Sequence, residues 1–228
     1  MWQKFSFYDF RVIAHYLGVL MMFLAAAECV PFVVAVVLGE WQPASHYLFG
    51  MGVALIVGSL LRLILPSPGK LTPKQALAVT GFAWLALALL GCIPLYMSGH
   101  YGSMLDAVFE GMSAWTTTGC SLVQDVDHMS IADNTWRFTM QCIGGQGVVV
   151  IALSLGLFGR AVDSSLYSSE GRSEHVIPNI MQTARFIVRF SMATIVIGTI
   201  LTTAACLFIG MAPVRAFFNG LWLAVASF

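Results

Sequence analysis

Phe109-Glu110-Gly111-Met112-Ser113-Ala114-Trp115-Thr116-Thr117-Thr118-Gly119 decides how the chain is read. It closes an apolar run over residues 104–115, and 12 residues is too short for a membrane crossing, which takes about 20. A longer apolar span lies on each side, at 76–97 and 136–158. A short apolar helix between two spans reads as re-entrant, coming in from the outer side and ending where Thr116-Thr117-Thr118-Gly119-Cys120-Ser121 begins. Irregular backbone at membrane depth is tolerated where it is buried in protein or lines a water-filled cavity. Extended threonines set carbonyls in a row that can replace the hydration shell of a cation. Gly119 permits backbone angles that other residues resist, and the helix before the loop points its partly negative C-terminal end at the same place.

Outward from that loop the chain is apolar almost throughout. Of its 228 residues 58% are hydrophobic and 10% charged, against about 25% charged in ordinary soluble domains. The class is integral membrane, and disorder is excluded by the same numbers. Eleven Lys and Arg against eleven Asp and Glu leave no basic excess for nucleic acid. Five spans are expected, at residues 12–38, 47–65, 76–97, 136–158 and 186–209, with a second short segment at 216–228. With a cytoplasmic N-terminus, nine Lys and Arg fall inside and only Arg137 and Arg215 outside, which fixes that orientation. The outer loops carry Glu40, Asp106, Glu110, Asp125, Asp127 and Asp133, a mouth that concentrates cations if these charges are free. The N-terminal residues lack the pattern of a signal peptide.

The re-entrant segment has a second copy. Residues 106–115 align without a gap onto 219–228, small on small and aromatic on aromatic, with only Glu110 against Leu223 breaking the pattern. The chain stops at the equivalent of Trp115, and is therefore expected to be a fragment or a truncated product. Between the copies, Gly144-Gly145-Gln146-Gly147 puts three glycines into the fourth span. Glycine is costly inside a helix but lets another backbone approach closely, and the re-entrant loop is the expected neighbour.

These motifs together resemble the Trk/Ktr/HKT superfamily of potassium transport proteins. The quoted stretch looks like the first pore loop, and Trp136-Arg137 with Gly144 to Val150 resembles the helix that follows it. Glu170-Gly171-Arg172-Ser173-Glu174, Pro178 and Thr183-Ala184-Arg185 resemble the cytoplasmic linker of the TrkH branch. The resemblance covers roughly residues 75–228. It implies an N-terminal helix pair (1–70), a first span–pore–span repeat (71–160), a cytoplasmic linker (161–185) and a second repeat (186–228) cut short in its pore helix. The implied architecture is all-α: five transmembrane helices plus two re-entrant pore helices.

The resemblance also implies a potassium-translocating subunit in a bacterial inner membrane. Its filter is Thr116, Thr117, Thr118, Gly119 and Cys120, with the ion held by the carbonyls of Thr117, Thr118 and Gly119. Gly144, Gly145 and Gly147 pack against the pore loop. A homodimer and a cytoplasmic nucleotide-binding regulatory subunit of the TrkA type are the implied partners, and no cofactor is bound. Serine in place of the first filter glycine goes with sodium preference in the plant branch, so Gly119 points to potassium. Gln146 departs from the family pattern, which more often has an apolar residue there, and the third and fourth repeats are missing.

The remaining residues suggest no other chemistry. Cys29, Cys92, Cys120, Cys142 and Cys206 form no CxxC pair, and the five histidines have no metal-ligand spacing. Cys120 and Ser121 have no base placed beside them by sequence, so an intramembrane hydrolase is disfavoured. A sodium-permeable relative or a non-transporting scaffold is the alternative. Glu28 lies within the first span, expected neutral or hydrogen-bonded near the outer interface. Arg137 is expected to pair with Asp133 or Asp106, or to snorkel.

Overall fold

The computed structural model describes residues 6–64, 72–123, 125, 126, 128–154 and 176–227. Among these every regular element is a helix: α1 (Phe7–Leu38), α2 (Trp41–Leu63), α3 (Pro73–Gly91), α4 (Ile93–Met97), α5 (Met104–Trp115), α6 (Ile131–Ser154), α7 (Val176–Phe208) and α8 (Pro213–Ala226). Four segments are long and apolar enough to cross a membrane: α1, α2, Lys74–Met97 and Arg185–Phe208. The expected fourth span, at 136–158, corresponds to α6, whose 24 residues suffice in length, while Asn134, Arg137, Gln141 and Gln146 dilute its apolar character. The expected linker lies outside the described residues as far as residue 175, as do residues 155–158 of the expected fourth span, Asp127 and Phe228.

The described residues divide after Met140 into two compact units. In the first, α1 and α2 form a hairpin. Gly39 turns it, with φ 73° and its N–H on the carbonyl of Val36 (3.2 Å). The two helices meet closest at Gly18 and Gly58, where a β-carbon on either would lie within 3 Å of the other's carbonyl oxygen. Such close packing is how apolar helices associate where no hydrophobic force separates helix from lipid. At the open end of the hairpin Arg11 Nη2 donates to the carbonyl of Ile64 (2.8 Å), satisfying a helix C-terminus with a cation. The same end is tied to α3. Thr72 and Gln75 form a capping box there, and Gln75 Nε2 donates to Asp9 Oδ1 on α1 (2.7 Å).

The run expected as one span over 76–97 is two helices. α3 stops at Gly91, Cys92 turns, and α4 starts with Pro94 in its first turn. Proline removes a backbone donor and clashes with the preceding turn. The break presents the carbonyl of Gly91 to the indole N–H of Trp136 on α6 (2.8 Å).

In the second unit α8 packs back on α7. A β-carbon at Gly220 would lie 2.8 Å from the backbone nitrogen of Thr203 and 3.1 Å from the carbonyl of Thr199, and Ala224 covers Gly198. In the first unit α5 sits on α3 in a similar way: Ala107 is fully buried, and Gly111 faces the carbonyl of Ala88 (3.2 Å from its β-carbon position). In the register of the sequence repeat, Ala107 corresponds to Gly220 and Gly111 to Ala224. Both copies thus place a pair of small residues four apart against the preceding long helix.

Candidate functional site: the loop after α5

α5 is set by its ends. Ser103 Oγ accepts from the N–H of Asp106 (3.2 Å) at its start. At its finish Thr117 N–H bonds the carbonyl of Ala114 (3.1 Å) and Thr118 N–H that of Ser113 (2.9 Å). This is the paired closure of a Schellman motif, which wants a left-handed residue at its hinge. The hinge is Thr117, at φ 56°, the one described non-glycine residue with positive φ. Left-handed backbone is uncommon for any β-branched residue. Gly119 follows at φ 76°, with nothing within 4 Å of its β-carbon position. The loop is therefore not a uniformly extended row of threonines. Thr116 and Thr117 close the helix and the open backbone begins at Thr118. Thr116 Oγ1 is turned inward, within 2.7 Å of the Met112 carbonyl and 2.8 Å of Thr118 Oγ1.

Thr117, Thr118, Gly119 and Cys120 are exposed. Among the described residues no donor bonds the carbonyl oxygens of Thr117, Thr118 or Gly119. A backbone carbonyl without a protein donor takes water or a cation. The loop thus offers consecutive unspent carbonyls beside a helix C-terminus, and this arrangement can coordinate a cation.

The far end of the loop is clamped by a residue the sequence reading counted as loop charge. Glu110 is only 3% exposed. Its carboxylate accepts from Ser121 Oγ (3.0 and 3.1 Å), from the Leu122 N–H (3.0 Å), and from Arg137 through Nε (2.8 Å) and Nη2 (2.7 Å). Arg137 also donates to Ser121 Oγ (2.9 Å) and Asn134 Oδ1 (3.0 Å). The partner of Arg137 is therefore Glu110, neither Asp133 nor Asp106. The pair is satisfied on every side, which is what a buried ion pair requires. The signal in the sequence was the one break in the repeat, Glu110 against Leu223. Burial, reinforced by the Glu110 charge, pushes the nearby Tyr101 hydroxyl well above the usual phenol range.

Beneath the loop lies an aromatic cluster. Trp115 meets Trp136 edge-on at 6.1 Å, and Trp136 meets Tyr47 of α2 at 6.3 Å. Tyr47 donates to Asp133 Oδ1 (2.8 Å), and Ser130 Oγ to Asp133 Oδ2 (2.7 Å). Glu40, in the α1–α2 turn, accepts from the N–H groups of Ile131 and Ala132 (3.0 Å each) and so caps α6. Three of the acidic residues read as an outer mouth are thus committed within the fold: Glu40 as a cap, Glu110 in an ion pair, and Asp133 buried against Tyr47. The N-terminal helix pair supplies two of these contacts. Gly144 is buried and Gly145 and Gly147 are half-buried on α6, beyond Met140.

The family model described as TrkH, cation transport protein, matches residues 49–226. An uncharacterized cation transporter of Methanocaldococcus jannaschii is 32% identical over 193 residues, covering 85% of this chain and 40% of that protein. The Trk system potassium uptake protein TrkH of Halomonas elongata is 29% identical, covering 77% of this chain and 37% of its own length. The chain thus spans about 40% of the length of the curated relatives it matches. The crystal structure of the potassium transporter TrkH from Vibrio parahaemolyticus superposes with a TM-score of 0.71 at 23% identity, over 95% of this chain and 42% of that one. It shares the fold. With the model matching well over half of its residues, the chain belongs to the TrkH family of cation transport proteins.

Proposed function

We propose that this chain forms part of a potassium-translocating membrane subunit, with residues 116–120 lining the narrowest part of the ion path. The observation that carries the reading is the run of donor-free carbonyls at Thr117, Thr118 and Gly119, flanked by left-handed backbone at 117 and 119. Potassium sheds water against these oxygens, and selectivity follows from how firmly the loop is held. The Schellman closure holds one end and the Glu110–Arg137 pair the other. The driving force is the membrane potential, about 2.3 kcal/mol per charge per 100 mV. No bond is made or broken. The names of the Trk relatives, which speak of potassium uptake, support the choice of ion.

In this reading α6 is the fourth span, and α5 and α8 are re-entrant pore helices. The N-terminus is cytoplasmic, in a bacterial inner membrane. The chain supplies a helix pair, one complete span–pore–span repeat and part of a second. The working assembly has further filter strands, a second copy and a nucleotide-binding regulatory subunit of the TrkA type.

The test is a chimera in which this chain replaces the matching segment of the Halomonas elongata TrkH, expressed in potassium-uptake-deficient bacteria. Growth at low potassium is expected from the chimera and not from the chain alone. Gly119→Ser in the chimera should cost about tenfold in potassium-over-sodium flux, some 1.4 kcal/mol of differential binding. Thr118→Val should cost less, because its carbonyl stays. If Gly119→Ser leaves the ratio unchanged, Gly119 is a turn glycine outside the filter.

A further inference from the structure

α1 carries an ionisable residue on the face it packs inward. Glu28 is fully buried, and among the described residues neither of its carboxyl oxygens has a hydrogen-bond donor. It sits where three helices meet: a β-carbon on Gly50 of α2 would come 2.9 Å from Glu28 Oε2 and 2.7 Å from Cγ of Pro94 on α4. The titratable group that shares these surroundings is Tyr47, one turn away on α2, and its hydroxyl is committed to Asp133. One turn earlier on α1, buried Leu24 reaches the Gly91 site, where its Cδ1 (3.5 Å), Trp115 Nε1 (3.3 Å) and Trp136 Cζ2 (3.5 Å) converge on the β-carbon position. Leu24 and Glu28 therefore lie on one face of α1, Leu24 against the end of α5 and Glu28 against α2 and α4.

A charge in such a place needs a counter-charge or several donors. Among the described residues neither is offered to Glu28, whereas the buried Glu110 has an arginine, a hydroxyl and an amide. A metal cation would need several oxygens at once, and among the described residues no group of acidic, histidine or cysteine side chains is placed to hold one. A proton needs a single oxygen.

We propose that Glu28 is a proton-binding site: a carboxylic acid that keeps its proton at neutral pH and so holds the junction of α1, α2 and α4 uncharged. The inference stands on packing alone and is independent of which ion the family member carries.

The experiment uses the purified chain in lipid nanodiscs, with its glutamates labelled by carbon-13 at the side-chain carboxyl. Infrared spectra at neutral pH are expected to show a labelled carboxylic-acid C=O band, to lose it reversibly on alkalinisation, and to lack it in Glu28→Gln. Glu40 and Glu110 are hydrogen-bonded or paired as carboxylates and should not contribute. A wild-type spectrum with only ionised labelled glutamate overturns the proposal, and so does a band that persists in Glu28→Gln. Glu28→Leu replaces Glu28→Gln if the latter does not fold, and the wild-type titration decides without any variant.

Discussion

Thr117 holds a backbone conformation that glycine would hold at no cost. A left-handed L-residue costs roughly 1–2 kcal/mol, part of which glycine gives back through its freer unfolded chain. Thr117→Gly is therefore expected to raise stability by up to about 1 kcal/mol, read as a higher unfolding midpoint in detergent, while slackening the loop. Gly119 poses the opposite case. Its β-carbon position is open, so the penalty there is conformational rather than steric. Gly119→Ala and Gly119→Ser should destabilise equally, by about 1–2 kcal/mol; a much larger loss for serine would show that side-chain volume matters after all. At the Glu110–Arg137 pair, removing one partner strands a buried charge. Arg137→Leu should cost about 3 kcal/mol or more, and adding Glu110→Leu should recover part of it. A double-mutant cycle by thermal unfolding measures that coupling. The sequence singled out the stretch that holds Thr117 and Gly119, and both take left-handed backbone there. The role of Glu110 was not legible in it, because its partner is 27 residues away on another helix.

α5 shows how far length and pattern carry a reading. Its bounds, Met104–Trp115, coincide with those expected from the apolar run, because the run ends where three threonines and a glycine begin. The break between α3 and α4 was missed, although Pro94 was in plain view. Hydropathy does not register a missing backbone donor, so the run read as continuous. The repeat was visible as aligned small residues, and its physical content is close helix approach. That content ranks two substitutions. Gly220→Ala drives a methyl against the backbone of α7 at 2.8 Å, whereas Gly111→Ala meets the Ala88 carbonyl at 3.2 Å. The first should cost about 2–3 kcal/mol, in the range of overpacked cores, and the second about 1 kcal/mol or less. Protease resistance in detergent micelles should rank them in that order; equal resistance would detach the repeat from any packing role.

Across the first unit, the N-terminal hairpin packs as one structure with α5, the loop after it and the start of α6. Glu40 caps α6, Tyr47 holds Asp133, and Leu24 reaches the tryptophans under the loop. None of these links is readable from the chain, since each joins residues more than 60 apart. A chain beginning at residue 72 should therefore lose the order of α6 and of the loop, seen as loss of a cooperative unfolding transition. Tyr47→Phe alone should cost about 1–3 kcal/mol, the penalty for leaving a buried acceptor unmet. If the shortened chain unfolds with the same midpoint, the hairpin is an accessory.

The Schellman closure also divides the loop in time. The amides of Thr116, Thr117 and Thr118 are spent on α5 carbonyls, and that of Leu122 on Glu110, while among the described residues those of Gly119, Cys120 and Ser121 bond nothing. Deuterium should therefore enter at Gly119, Cys120 and Ser121 almost as fast as in a free peptide, and far more slowly at Thr116, Thr117, Thr118 and Leu122. Under the proposed function, a lining built this way is stiff at both margins and yielding over three residues at its middle. On the same reading the ion meets carbonyls of Thr118 and Gly119 that can swing without unmaking a hydrogen bond, whereas that of Thr117 shares its peptide unit with the bonded N–H of Thr118.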